Sequence, residues 1–203
     1  MEEIRNAFIT ELLSKPPELI ASVWIIDRIP LLFCDDRERY ASWRYQLAKG
    51  LGVDPSSLVV TGSGAFGVSL NPNKNYRIFD ASSDIDVAVI SDYHFTNAWR
   101  TLRNLGAEIH SFPQVTKQSV KEHVSRYIYW GTVATDRILH LLSFGKEWSE
   151  IIEKMQHISP TDGRTIKVRI YRDFDSLRAY QVNNLKNLRT QEIEKGIDDV
   201  KIS

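Results

Sequence analysis

Apolar residues recur at helical spacing at Ile4, Ala7, Phe8 and Leu12, which predicts a short amphipathic helix. Pro16-Pro17 ends it, because a proline lacks the amide donor that the helix needs. Pro17 opens a second helix around Leu19, Ile20, Val23 and Trp24, and Asp35-Asp36 caps a third that carries Tyr40, Trp43, Leu47 and Leu51 and closes at Gly50 or Gly52. Leu58-Val59-Val60-Thr61 is a β-branched run that stops at Gly62-Ser63-Gly64, and Ile85 to Ile90 reads as a second buried strand. Between them lies a polar, turn-rich stretch, Asn71-Pro72-Asn73-Lys74-Asn75. Phe95, Ala98, Trp99, Leu102 and Leu105 then mark one face of a helix that Gly106 terminates. Further helices are expected around Val120, Val124 and Ile128, from Asp136 to Leu142, and through Trp148, Ile151, Ile152 and Met155. Thr165 to Tyr171 alternates apolar and polar residues, the mark of a strand buried on one face. Asp173 caps a last helix carrying Phe174, Leu177, Leu185 and Leu188, with a charged tail from Gln191 that frays.

This order of elements predicts an α/β (α+β) fold in which a small mixed sheet is flanked by helices. Residues 1–50 form a helical segment, 51–173 a core with a helical insert, and 174–203 a C-terminal helix and tail, all in one compact unit. A chain of 203 residues, 42% hydrophobic and 26% charged, is long enough to bury a core of its own. The net charge of +0 gives no overall field for a polyanion, so nucleic-acid binding would need a local patch. Cys34 is the only cysteine, which excludes an internal disulfide and a multi-cysteine metal site and fits a reducing cytoplasm. The start, Met1-Glu2-Glu3-Ile4-Arg5, lacks a signal peptide's basic and apolar regions, and no stretch reaches the roughly 18 apolar residues of a membrane span. A soluble, cytoplasmic protein without a membrane partner is expected.

The chemistry concentrates in two places. Asp84 and Asp86 stand two apart at a strand, so both project to one face while Ile85 and Val87 go to the other. Two adjacent carboxylates repel, which a cation with oxygen preference such as Mg²⁺ relieves. Ser83 and Asp80 add oxygen ligands there or are plain turn residues. Upstream, Gly62-Ser63 sits at a strand end before a presumed helix, where backbone donors and a hydroxyl can hold phosphate oxygens. A phosphate cradle ahead of an acid pair is the set of parts for metal-assisted phosphoryl or nucleotidyl transfer.

Thr61-Gly62-Ser63 followed by Ser82-Ser83-Asp84-Ile85-Asp86-Val87 resembles the signature of the DNA polymerase β-like nucleotidyltransferase superfamily, over roughly residues 50–105. The resemblance implies that superfamily's small mixed sheet. It makes Gly62 and Ser63 ligands of a nucleoside triphosphate, with Ser83 beside them, and Asp84 and Asp86 the catalytic ligands of Mg²⁺ or Mn²⁺. The implied reaction moves a nucleoside monophosphate to a hydroxyl of a protein, a transfer RNA or a small molecule, with pyrophosphate leaving. Through small bacterial relatives the resemblance also implies a role in a toxin-antitoxin or antiphage operon, with an operon partner protein, though no residue here shows it. The segment carrying Lys74 and Arg77 is longer than in minimal members and is expected to form a hairpin over the nucleotide. Members usually add a third carboxylate on a later strand. Here the strand from Ile166 offers Lys167, Arg169 and Tyr171 instead, and Asp136, Asp173 and Glu108 are the alternatives. Cations on that face would pair with the acids and suit a degenerate nucleotide-binding or protein-interaction module.

Other readings compete. Gly62 to Gly67 matches the G-x-G-x-x-G of an NAD-binding Rossmann unit, although Asn71-Pro72 cuts the crossover helix short. Sugar-nucleotide glycosyltransferases also use Asp-x-Asp but leave Gly-Ser unexplained. His94, His110, His123, His140 and His157 show no paired ligand spacing, and the tryptophans mostly fall on apolar faces. Arg172, Arg178, Lys186 and Arg189 line a groove for RNA or triphosphate, or else form a solvated helix face.

Overall fold

The structure, a computed structural model, describes residues 2–70 and 76–202. Helix α1 (Glu2–Ser14) stops before the two prolines. Helix α2 (Pro17–Ile20) starts on Pro17 and widens into a π turn over Ala21–Ile26. Helix α3 (Arg37–Leu51) is capped by the Asp36 carboxylate, which accepts from the Arg39 amide at 2.9 Å. Gly52, not Gly50, turns the chain out of α3, since Gly52 takes the left-handed conformation. Gly50 lies inside the helix where Ile151 of α8 (Gly145–Met155) packs against it.

Four strands form one mixed sheet in the order β1 (Leu58–Thr61), β2 (Ile85–Ile90), β4 (Ile166–Tyr171), β3 (Thr132–Ala134). β1 runs antiparallel to β2, β2 parallel to β4, and β3 antiparallel to β4. The fold is therefore α+β around a small mixed sheet. The antiparallel β1–β2 pair is incompatible with a Rossmann βαβ unit, whose strands run parallel across a full crossover helix. Helix α4 (Ser63–Phe66) between them is a single turn, shorter than the helix expected after Gly62-Ser63, because Gly67 reverses the chain at φ +92°. After β2 come α5 (Asp92–Asn104) and α6 (Gln114–Glu122). The stretch expected to be helical near Asp136 is broken up. Directly after β3, the expected helix from Asp136 to Leu142 is divided into the short α7 (Thr135–Ile138) and a 3-10 turn at Leu139–Leu141. Helix α9 (Phe174–Ile202) continues straight through the charged tail that was expected to fray.

The sheet is sharply two-sided, as period-two alternation demands. Leu58, Val60, Ile85, Val87, Val89, Ile166, Val168 and Ile170 enter the main core with Trp43 and Leu47 of α3, Ala98 and Leu102 of α5, and Trp148 of α8. The opposite face divides along its length. At one end Val59, Ala88 and Tyr171 pack against Leu177 of α9; at the other stand Thr61, Asp86 and Lys167, which are in register across β1, β2 and β4. A second core joins the two ends of the chain, with Phe8, Leu12, Ile20 and Ile25 meeting Phe66, Val182, Leu185 and Leu188.

His123, in the π turn after α6, fastens β3 to this frame. The Ala134 amide donates to its Nε2 at 3.1 Å, which requires that nitrogen to be unprotonated, while Nδ1 lies 2.6 Å from the Ser119 carbonyl. Burial pushes the His123 pKa down, and likewise that of His94, buried between Tyr93, Phe144 and Trp148. Below the unfolded histidine value of about 6.5 only the unfolded chain takes up protons, so stability is fully present above that pH and falls as the pH drops towards the depressed folded values. Urea unfolding is expected to give a smaller free energy at about pH 5.5 than at about pH 7.5, with a shallower dependence in His123→Gln; equal values would show that neither imidazole is held neutral.

Candidate functional site

The polar end of the sheet opens into a cleft of about 940 Å³. Its floor is the register row Thr61, Asp86 and Lys167, with Asp84 one step earlier on the same face. Antiparallel pairing sets the end of β1 beside the start of β2, so Gly62-Ser63 and the acid pair, distant in sequence, converge. The closeness is steric. Gly62 has φ +64° and ψ −156°, a region essentially restricted to glycine, and a Cβ built there would lie 2.5 Å from Asp86 Oδ2. The carboxylate rests on the bare Cα. Ser63 also lines the cleft, and its hydroxyl makes no hydrogen bond among the described residues.

Ser83 lines the cleft too, but its hydroxyl belongs to a turn organised by Asp80. Asp80 Oδ1 accepts from the Ser82 amide at 2.9 Å and the Ser82 hydroxyl at 2.7 Å, and Ser83 Oγ lies 3.2 Å away. These donors hold the Asp80 carboxyl down to about 2. Arg164 spans the turn to the Ser83 carbonyl at 3.3 Å and stacks on Phe79. The predicted insert hairpin has paired flanks, with Val68 bridged to Ile78 and the Ser69 amide bonded to the Arg77 carbonyl at 2.8 Å. Leu70, Arg77 and Ile78 line the cleft; Lys74 lies outside the described residues.

Lys167 occupies the position where an acid was sought. It stands opposite Asp86 in the β2–β4 register, and its Nζ pairs with Asp84 Oδ2 at 2.5 Å. Its pKa is raised chiefly by that hydrogen bond, with Asp86 and Asp136 adding to it and burial opposing. Asp136, at the start of α7, is the one alternative acid that lines the cleft. Asp173 instead caps α9, accepting from the Ser176 amide at 2.7 Å and Ser176 hydroxyl at 2.6 Å, and Glu108 is exposed in a 3-10 turn. Among the described residues no group of three or more His, Cys, Asp or Glu is placed to hold a metal ion. The donor set for a cation is thus the pair Asp84 and Asp86. Mg²⁺ commonly takes one or two carboxylates and completes its shell with water and phosphate oxygens, so these two could hold it only together with outside ligands.

One wall escaped the sequence reading. Helix α9 turns Tyr180, Gln181, Asn184, Asn187, Thr190 and Gln191 to the cleft, a stripe at helical spacing without a charge. The basic residues of this region, read as candidate groove ligands, serve elsewhere. Arg178 donates to the Ser22 hydroxyl at 2.5 Å, Arg189 to the Leu12 carbonyl at 2.6 Å, Lys186 pairs with Glu18, and Arg172 with Asp173. Three of them tie α9 to the N-terminal helices. The Asn184 and Asn187 carboxamides, by contrast, make no hydrogen bond among the described residues. An uncharged stripe flanked by charged positions was the available signal.

No protein-family model, curated protein or solved structure matches this chain.

Replacing Gly62 by alanine forces a strained backbone and a clash with Asp86, and is expected to destabilise the fold by roughly 1–3 kcal/mol in chemical denaturation. Asp173→Ala removes only a helix cap, so it is expected to lose about 1 kcal/mol of stability and leave ligand affinity in the cleft unchanged; a lost affinity would return Asp173 to the site.

Proposed function

We propose that this cleft binds a nucleoside triphosphate and transfers its nucleoside monophosphate to a hydroxyl of an acceptor, with pyrophosphate leaving, in the manner of the polymerase β-like nucleotidyltransferases. The observation that carries the reading is the packing of the Asp86 carboxylate on Gly62, beside the Ser63 hydroxyl, in one polar cleft. The acceptor is a protein, a transfer RNA or a small molecule. Ser63 and the backbone around Gly62 bind and orient phosphate oxygens. Asp84 and Asp86 hold Mg²⁺ or Mn²⁺, which when bound neutralises charge developing on the phosphates. The Lys167–Asp84 pair does not bar this. Its side chains are 44% and 35% exposed, and exposed pairs are worth about 0–1 kcal/mol, less than a metal-bearing polyphosphate brings. Released from Asp84, the Lys167 ammonium is free to face the phosphates.

The second reading is a binding module without turnover, favoured by Lys167 standing in register with Asp86 where a third acid would complete the site. It predicts nucleotide binding with little dependence on divalent metal. The test incubates the protein with Mg²⁺ or Mn²⁺ and each α-phosphate-labelled nucleoside triphosphate, beside Asp84→Ala/Asp86→Ala, and scores pyrophosphate and transferred label. Release by the wild type alone is the expected result. Binding without release under every acceptor tried would favour the module, and absence of both binding and release would sink both readings.

A further inference from the structure

Arg169 stands two residues beyond Lys167 on the same face of β4, and it lines the same cleft. Its strand neighbours in register are Ala88 on β2 and Ala134 on β3, small side chains that leave room for a guanidinium to lie across the sheet. Tyr127 and Tyr180 flank it, with the guanidinium carbon 4.9 Å and 5.3 Å from their ring centroids. Aromatic faces support a cation but carry no countercharge. Among the described residues Arg169 joins no ion pair, and its Nη1 is shut off from solvent with no hydrogen-bond partner. Lys167 next to it is neutralised by Asp84, so the contrast is local. Tyr127 also gives the guanidinium a side-chain hydrogen bond, yet no acid faces it and Nη1 stays cut off from solvent without a partner, and a buried donor left unsatisfied calls for an explanation.

The geometry points to Arg169 as the anchor of an oxyanion site in this cleft, with phosphate as the ligand. The missing countercharge arrives with the ligand. A planar fork of donors matches a phosphate bidentately, and Arg126, another cation of the cleft lining, favours a multiply charged phosphate over a single carboxylate. The phosphate has two possible owners. It is either part of the nucleotide's own polyphosphate or a group on the second substrate, lying about 7 Å further along the strand than the Lys167 position. The site needs neither metal nor turnover, so it stands or falls separately from nucleotidyl transfer.

The test measures binding of orthophosphate, with and without a saturating nucleoside triphosphate, and of pyrophosphate, tripolyphosphate and that nucleotide by calorimetry in metal-free buffer, for the wild type, Arg169→Met and Arg169→Lys. Affinity is expected to fall at least about tenfold in Arg169→Met and less in Arg169→Lys, which keeps the charge but loses the fork. Thermal unfolding without anion separates this from a structural role. Arg169→Met gives up ring contacts but no ion pair, so its own melting temperature is read first without anion, and only the wild type is expected to gain melting temperature on adding pyrophosphate. If Arg169→Met does not fold, Arg169→Lys carries the comparison. Loss shared by tripolyphosphate and nucleoside triphosphate assigns the phosphate to the nucleotide. Loss confined to orthophosphate bound alongside a saturating nucleotide assigns it to the second substrate. Equal anion affinity in wild type and variants, or no anion binding by the wild type, overturns the inference.

Discussion

The antiparallel register that sets Thr61 opposite Asp86 determines where every other group in the cleft stands. It turns the end of β1 back towards the start of β2, so a strand-end glycine and a strand-start carboxylate meet. It also leaves no room at Gly62 for a side chain, because the Asp86 carboxylate already fills that space. The parallel pairing of β2 with β4 then aligns Lys167 with Asp86 and Arg169 with Ala88, and the floor of the cleft is complete.

Charge on that floor is arranged in graded fashion. Lys167 is held among Asp84, Asp86 and Asp136, whereas Arg169 lies deeper, between aromatic rings and without an acid. A side chain with solvent access can exchange partners at little expense, while a desolvated one keeps its demand for a partner. The same face thus offers one cation paired with an acid and another held between tyrosine rings without one.

Much of this was legible in the sequence, for physical reasons. Gly62-Ser63 and Asp84-Ile85-Asp86 each adjoin a β-branched run, so local pattern alone placed them at strand ends. The alternation of Ile166 to Tyr171 put Lys167 and Arg169 on one face, and their likeness to a counter-ion for the acids followed. β3 was illegible because three residues cannot display a period of two, and without it Asp136 could not be told from Asp173 as a neighbour of the acid pair. The stripe on α9 was missed because neutral polar residues on an amphipathic helix look like any wetted face. Only the tethering of Arg178 and Arg189 to the opposite side shows which way the carboxamides turn.

Those tethers also bear on how the cleft keeps its shape. The Arg189 contact with the Leu12 carbonyl links positions 177 residues apart, and Phe8 and Leu12 share one apolar cluster with Leu185, Leu188 and Phe66. Contacts between positions so far apart mean that α9, the wall of the cleft, is held in place by the first helices of the chain. A change at Phe8 or Leu12 therefore reaches the cleft through α9 without touching the acids and cations of its floor.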